Sequence, residues 1–231
     1  QRVDEAVQAI CAKDFASAER LLLAVCANTP SGYVNMWQED GGGFVVKFWD
    51  EPAFLHYVSW PPPSGCGHDV RWMPNAYPRA HYFLGFVYVA ASRPADALGV
   101  LERGRELEPS NPHFNFEIAQ ALLRSGQAEN AMAFYDAVSE VGPHVSAAKL
   151  AVAKRGRGTA LIDLKRLDEA QAAFRESLEH EPESALALNE LIYIEQLKMG
   201  HQATPGNLQV TGNQNRSGSP TKPAKWWQVW K

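Results

Sequence analysis

Apolar residues fall at helical spacing along much of this chain. Val3, Val7 and Ile10 share one face, as do Leu21, Leu22 and Val25. A second pattern lies over the first. A glycine or alanine is followed twelve residues later by alanine and twelve after that by proline, in four copies: Ala6/Ala18/Pro30, Gly85/Ala97/Pro109, Ala119/Ala131/Pro143 and Gly158/Ala170/Pro182. Pro109 to Pro143 is 34 residues, Pro143 to Pro182 is 39, and Pro30 to Pro109 is 79. Small residues at fixed offsets let the two helices of a hairpin come close, and the proline stops the second helix. The pattern predicts helical hairpins stacked at a 34-residue period.

The hairpins are expected over residues 1–30, 78–111, 112–148 and 149–182. Their inner turns are placed from Asp14, at Ala91-Ser92-Arg93-Pro94, at Ser125-Gly126 and at Lys165-Arg166. Five extra residues within 143–148 are expected to lengthen the start of the next helix. Residues 183–199 read as a capping helix, with Leu186, Leu188, Leu191, Ile192, Ile194 and Leu197 as its apolar side and Glu183, Glu190, Glu195 and Lys198 as its solvated side.

Residues 31–77 break the period. Tyr33–Trp37 and Phe44–Trp49 read as two strands joined through Gly41-Gly42-Gly43. Asp50-Glu51-Pro52 reads as the start of a short helix over Ala53–Trp60, Pro61–Gly65 as an exposed loop, and Asp69–Met73 as a third strand. An isolated hairpin is marginal, so this insert must pack on the repeats or on a partner. Residues 200–231 have linker composition and end in Lys225-Trp226-Trp227-Gln228-Val229-Trp230-Lys231.

The residues around each triplet carry a resemblance. Leu84-Gly85 with Tyr88, Ala97, Leu101 and Pro109 resembles the tetratricopeptide repeat. So do Ile118-Ala119 with Leu122, Ala131, Tyr135 and Pro143, and Gly158 with Leu161, Ala170, Phe174 and Pro182. The family's early Trp is missing; His81, Asn115 and Lys154 stand near its place. The resemblance implies a mainly α fold: an α-solenoid of four such hairpins and a capping helix, interrupted by a small α/β insert. It also implies that the inner helices line a concave groove. The matching positions are Val3, Val7 and Ile10 in the first repeat, and Arg79, Tyr82, Phe86 and Val89 in the second. The third supplies His113, Phe116, Gln120, Leu123 and Arg124, and the fourth Arg155, Thr159, Ile162 and Asp163. Chaperone-binding members grip a C-terminal carboxylate with Lys, Arg and Asn. Tyr82, Phe86, Phe116, Glu117 and Gly156 stand at matching places here, so no such clamp is expected.

Charge changes the picture at one end. The chain carries −4 overall, yet from Leu197 onward there are five bases and no acid. An acidic body argues against nucleic-acid binding. No apolar run reaches the ~18 residues that span a membrane. Cys11, Cys26 and Cys66 do not make a disulfide framework, which suits a cytoplasmic setting. The chain opens on Gln1 rather than Met and shows no signal-peptide pattern, which reads as loss of an upstream segment.

Chemistry is sparse. Cys66 and His68, with His56 and His81, lack a second pair at metal-ligand spacing. Gly41-Gly42-Gly43 is followed by no Lys-Ser/Thr, and no nucleophile–base pair can be read from spacing. The expected function is therefore a non-catalytic protein-interaction module without a cofactor, an adaptor or chaperone for a peptide or helical segment. Tyr82, Phe86 and Phe116 are the expected anchors, with Arg79, Arg124 and Arg155 as polar contacts. The same aromatics also serve as packing, and the insert could fill the groove. The alternative is a self-associating component, a homo-oligomer in which Trp226, Trp227 and Trp230 dock on a neighbouring chain. Seven tail residues are too few for stable membrane anchoring.

Overall fold

A computed structural model describes residues 1–49, 51–59, 69–141 and 145–200. The architecture is mainly helical, with a small three-stranded sheet. It forms two compact units, Gln1–Gln127 with Ala137–Val145, and Ala128–Asp136 with the chain from Ser146 onward.

The first unit opens with helices α1 (Arg2–Cys11) and α2 (Phe15–Cys26). Asp14 caps α2 by accepting from the Ser17 backbone N–H at 3.0 Å. Helices α4 (Ala76–Ala90) and α5 (Pro94–Leu107) form the next hairpin, and α6 (Pro112–Arg124) follows, capped by Asn111. Helix α2 packs on α4 as α5 packs on α6, so the repeats stack across the insert. A short 3₁₀ helix (Ala137–Glu140) also belongs to this unit and buries Val138. It replaces the end of the α-helix expected to run toward Pro143; Gly142, Pro143 and His144 lie outside the described residues.

The insert holds β1 (Met36–Gln38), β2 (Phe44–Phe48), α3 (Glu51–Val58) and β3 (Val70–Pro74). Strand β2 pairs antiparallel with β1 and parallel with β3. Gly42 takes the positive φ of the hairpin loop. Phe54 of α3 lies against Phe48 and Trp72, and Tyr57 against Phe48, so the helix covers one face of the sheet. The first strand is shorter than expected because Tyr33 turns away from it. Its hydroxyl donates to Asn75 Oδ1, and Asn75 Nδ2 donates to Asn35 Oδ1 and Glu108 Oε2, each at 3.1 Å. Asn75 and Glu108 are both buried, so this network fastens the insert to the end of α5. The expected cap Asp50 and the loop 61–65 lie outside the described residues.

The second unit contains α7 (Ala128–Asp136), α8 (Ala147–Asp163), α9 (Leu167–His180) and α10 (Ala185–Lys198). Helix α8 begins two residues earlier than the fourth hairpin was expected to, with Ser146 as its cap. Helix α10 buries Ala187, Tyr193 and Ile194, but Leu188 and Ile192 face outward rather than inward.

Two devices repeat with the period. The first is the turn. Lys13, Ser92, Gly126 and Lys165 all have φ between 58° and 72°. After each, the next N–H reaches back five residues: Asp14 to Ala9, Arg93 to Tyr88, Gln127 to Leu122 and Arg166 to Leu161. The second is close approach. A Cβ on Gly85 would meet Leu101 Cγ at 2.4 Å, and one on Gly158 would meet the Phe174 ring at 2.6 Å. Both opposing side chains are fully buried and cannot yield.

Replacing an exposed helical glycine by alanine gains up to about 1 kcal/mol from helix propensity. Gly99→Ala, with nothing near its Cβ, is expected to show that gain in urea melts. Gly158→Ala is expected to go the other way, because overpacking costs about 1–3 kcal/mol. Lys165→Gly relieves a left-handed residue and is expected to raise stability by about 0.5–1 kcal/mol in the same assay.

Candidate functional site

The site lies in the first unit, where α4 and α6 run beside each other. Gly104 of α5 makes room for it: a Cβ there would sit 2.3 Å from the Phe114 ring. Phe114 and Phe116 are buried on α6, and Tyr82 on α4. Onto these rings comes Trp49, the residue after β2. Its ring centroid is 4.7 Å from Tyr82, 5.7 Å from a stacked His113 and 5.5 Å from an edge-on Phe114. Phe116 closes the cluster at 6.2 Å from His113. The insert thus places one large aromatic side chain against α4 and α6.

Trp49 was expected to continue the strand. In the pleat it would share a face with Lys47 and Val45, away from α3; instead the strand ends at Phe48 and the indole leaves the sheet. Its Nε1 is buried without a hydrogen-bond partner among the described residues, as is Asn115 Oδ1. The ring is therefore held by apolar and quadrupolar contact rather than by a polar latch.

Beneath the rings lies an acid. Tyr82 donates its hydroxyl to Glu117 Oε1 at 3.3 Å. Burial pushes the Glu117 carboxyl up to about 7, against the opposing pull of the Tyr82 hydrogen bond and the Arg124 charge. Burial likewise raises the Tyr82 phenol far above its ordinary range, with the Glu117 charge adding to it.

The expected anchors Tyr82, Phe86 and Phe116 are only 5%, 8% and 2% exposed. Val89 is buried too, His113 and Gln120 are half-buried, and Arg124 is exposed. Arg79 pairs with Asp4 at 2.7 Å and lies over the Phe83 ring. Arg155 and Thr159 belong to the second unit. Arg155 is buried and donates to Glu181 and to Ser184 at 3.3 Å, fastening α8 to the turn before α10. It is a structural ion pair rather than the surface cation expected. Thr159 bonds back to the Arg155 carbonyl at 3.1 Å. Trp226, Trp227 and Trp230 lie outside the described residues, as do Cys66 and His68. His81 is a core residue whose Nδ1 lies 2.9 Å from the Tyr77 carbonyl, and burial lowers its pKa. The described residues hold no group of three His, Cys, Asp or Glu able to bind a metal, and no helix among them is long and apolar enough to cross a membrane.

Family comparison agrees with the repeat geometry. One tetratricopeptide-repeat model matches residues 88–155 and another matches residues 155–195. This is a tetratricopeptide-repeat protein. The matched stretch runs from α4 into α10 and leaves the first hairpin and the insert outside it. Among solved structures, the first TPR of Spaghetti (RPAP3), bound to the HSP90 peptide SRMEEVD, is 25% identical, covering 53% of this chain and 93% of that one with a TM-score of 0.46. The Sgt2 TPR domain from Aspergillus fumigatus is 19% identical, covering 64% and 94% with a TM-score of 0.48. MamA from AMB-1 is 16% identical, covering 86% and 81% with a TM-score of 0.49. Comparison with curated protein sequences returns no match.

The Glu117 shift has a direct consequence for stability. The unfolded carboxyl ionises near 4.5 and the folded one near 7, so the folded state holds the extra proton between them. Stability from this group is fully present below pH 4.5 and is lost as pH rises through 7. Glu117→Gln keeps an acceptor for Tyr82 and removes the titration. Urea melts at pH 5 and pH 8 are expected to show the wild type losing roughly 1–3 kcal/mol more than the variant.

Proposed function

We propose that this protein is a non-catalytic protein-interaction module, of adaptor or chaperone-like use. Its second and third repeats take an aromatic anchor from a peptide or helical segment of a partner. One observation carries the proposal: the inner surface formed by Tyr82, His113 and Phe114 already holds such a side chain, Trp49, delivered by a segment outside the repeats. A surface that stacks an indole from an insert has the shape and chemistry to stack one from a partner. The insert then acts as a built-in ligand that the partner displaces.

The surroundings favour an apolar anchor over a terminal carboxylate. Glu117, buried at one of the positions where a carboxylate clamp would stand, repels an anion when ionised. Arg79 is engaged with Asp4, which leaves Arg124 as an exposed cation on α6 near the pocket.

The test uses the full chain and its Trp49→Ala variant against a displayed peptide library. Peptides enriched on the variant are expected to share a Trp, Tyr or Phe. They should bind it at least tenfold tighter than the wild type, because about 1.4 kcal/mol of competition from the insert is gone. Gly104→Ala, which drives Phe114 toward the pocket, should abolish that gain. If a folded Trp49→Ala protein selects no aromatic-anchored peptide, the cluster is packing alone.

A further inference from the structure

The outer side of α10 carries an apolar stripe where a terminal repeat normally presents a polar one. Leu188, Ile192 and Met199 are 46%, 56% and 73% exposed, while Ala187, Tyr193 and Ile194 of the same helix are buried. The helix is thus apolar on two sides, although only one side is covered by the repeats. Two of its charged residues reach back to α9: Lys198 lies 2.8 Å from Asp168, and Glu195 accepts from Gln171.

The chain itself supplies a matching segment. Residues 201–231 contain four bases and no acid, and they end in three Trp bracketed by Lys225 and Lys231. Trp226 and Trp230 are four residues apart, as Leu188 and Ile192 are. Glu183, just before α10, and Glu179, in the last turn of α9, are exposed and offer the opposite charge. The connection also has the right length. From Gly200 back to Leu188 is about 18 Å along a helix. The 26 residues from Gly200 to Trp226, of linker composition, are enough to reach about 30 Å as a random coil. A tether of that reach presents the Trp segment to its own α10 at an effective concentration near millimolar, well above what a second copy reaches in dilute solution.

We infer that the C-terminal Trp segment, residues 225–231, docks on the outer face of α10 in its own chain and caps the repeat array. Trp226 and Trp230 cover Leu188, Ile192 and Met199, and the flanking lysines meet Glu179 and Glu183. This surface lies in the second unit and does not depend on the Trp49 pocket.

Hydrogen exchange of the full chain tests it. In the wild type, amides over 188–199 are expected to exchange about tenfold more slowly than in a full-length variant with Trp226, Trp227 and Trp230 all changed to Ala. Ile192→Asp should lose the same protection, and combining the two changes should lose no more. If the triple variant leaves exchange in α10 unchanged, the tail does not dock there. If protection appears only as concentration rises from about 1 to 100 µM, the occupant is a second copy and the intrachain assignment is overturned.

Discussion

Where Gly85 meets Leu101 and Gly158 meets Phe174, no methyl group fits between the helices. That exclusion is the constraint on which the repeats rest. It fixes how near the paired helices lie, and the left-handed turn residues at 13, 92, 126 and 165 fix how each pair is joined. Once those distances are set, Gly104 can admit the Phe114 ring, and the cluster where α4 meets α6 becomes aromatic.

The insert exploits that surface. Its sheet and short helix have too little core to stand alone, and they depend on the buried Asn75–Glu108 network and on Trp49. The two attachments differ in kind. The Asn75 network is polar, buried and directional, and removing a member strands its partners. The Trp49 contact is apolar and leaves its own N–H unpaired, so no polar bond fixes the ring in place. The insert is therefore held by a buried polar network at one point and by ring contact alone at the other.

Much of the fold was legible in the sequence, because the 34-residue period is written in positions where only small residues fit. The β-hairpin was legible from Gly41-Gly42-Gly43 between aromatic runs, and Asp69–Met73 from its β-branched and aromatic content. The site was legible only in half. Tyr82, His113 and Phe116 follow from repeat register, and the structure brings them together. Trp49 does not follow, since strand periodicity assigns it a face of the sheet and nothing local shows that it leaves. Glu117 and Asn75 were hidden for a related reason: a polar residue on a helix or in the link before one looks solvated until a tertiary contact buries it. Arg155 was misplaced in the same way, because its carboxylate partner Glu181 is 26 residues distant. The outward turn of Leu188 and Ile192 was equally invisible, since α10 is apolar around most of its circumference.

The central claim is that Trp49 occupies a pocket built for an exchangeable aromatic anchor. Fluorine NMR of the full chain grown with 5-fluorotryptophan tests it most directly, with the Trp49 signal assigned by its loss in Trp49→Phe. The ring currents of Tyr82, His113 and Phe114 should hold that signal apart from the exposed position, which is set by the urea-unfolded chain. A peptide selected for its aromatic anchor should move it to the exposed position while the Trp72 signal stays in place. A Trp49 signal at the exposed position before any peptide is added, or one that a saturating peptide leaves untouched, would contradict the account.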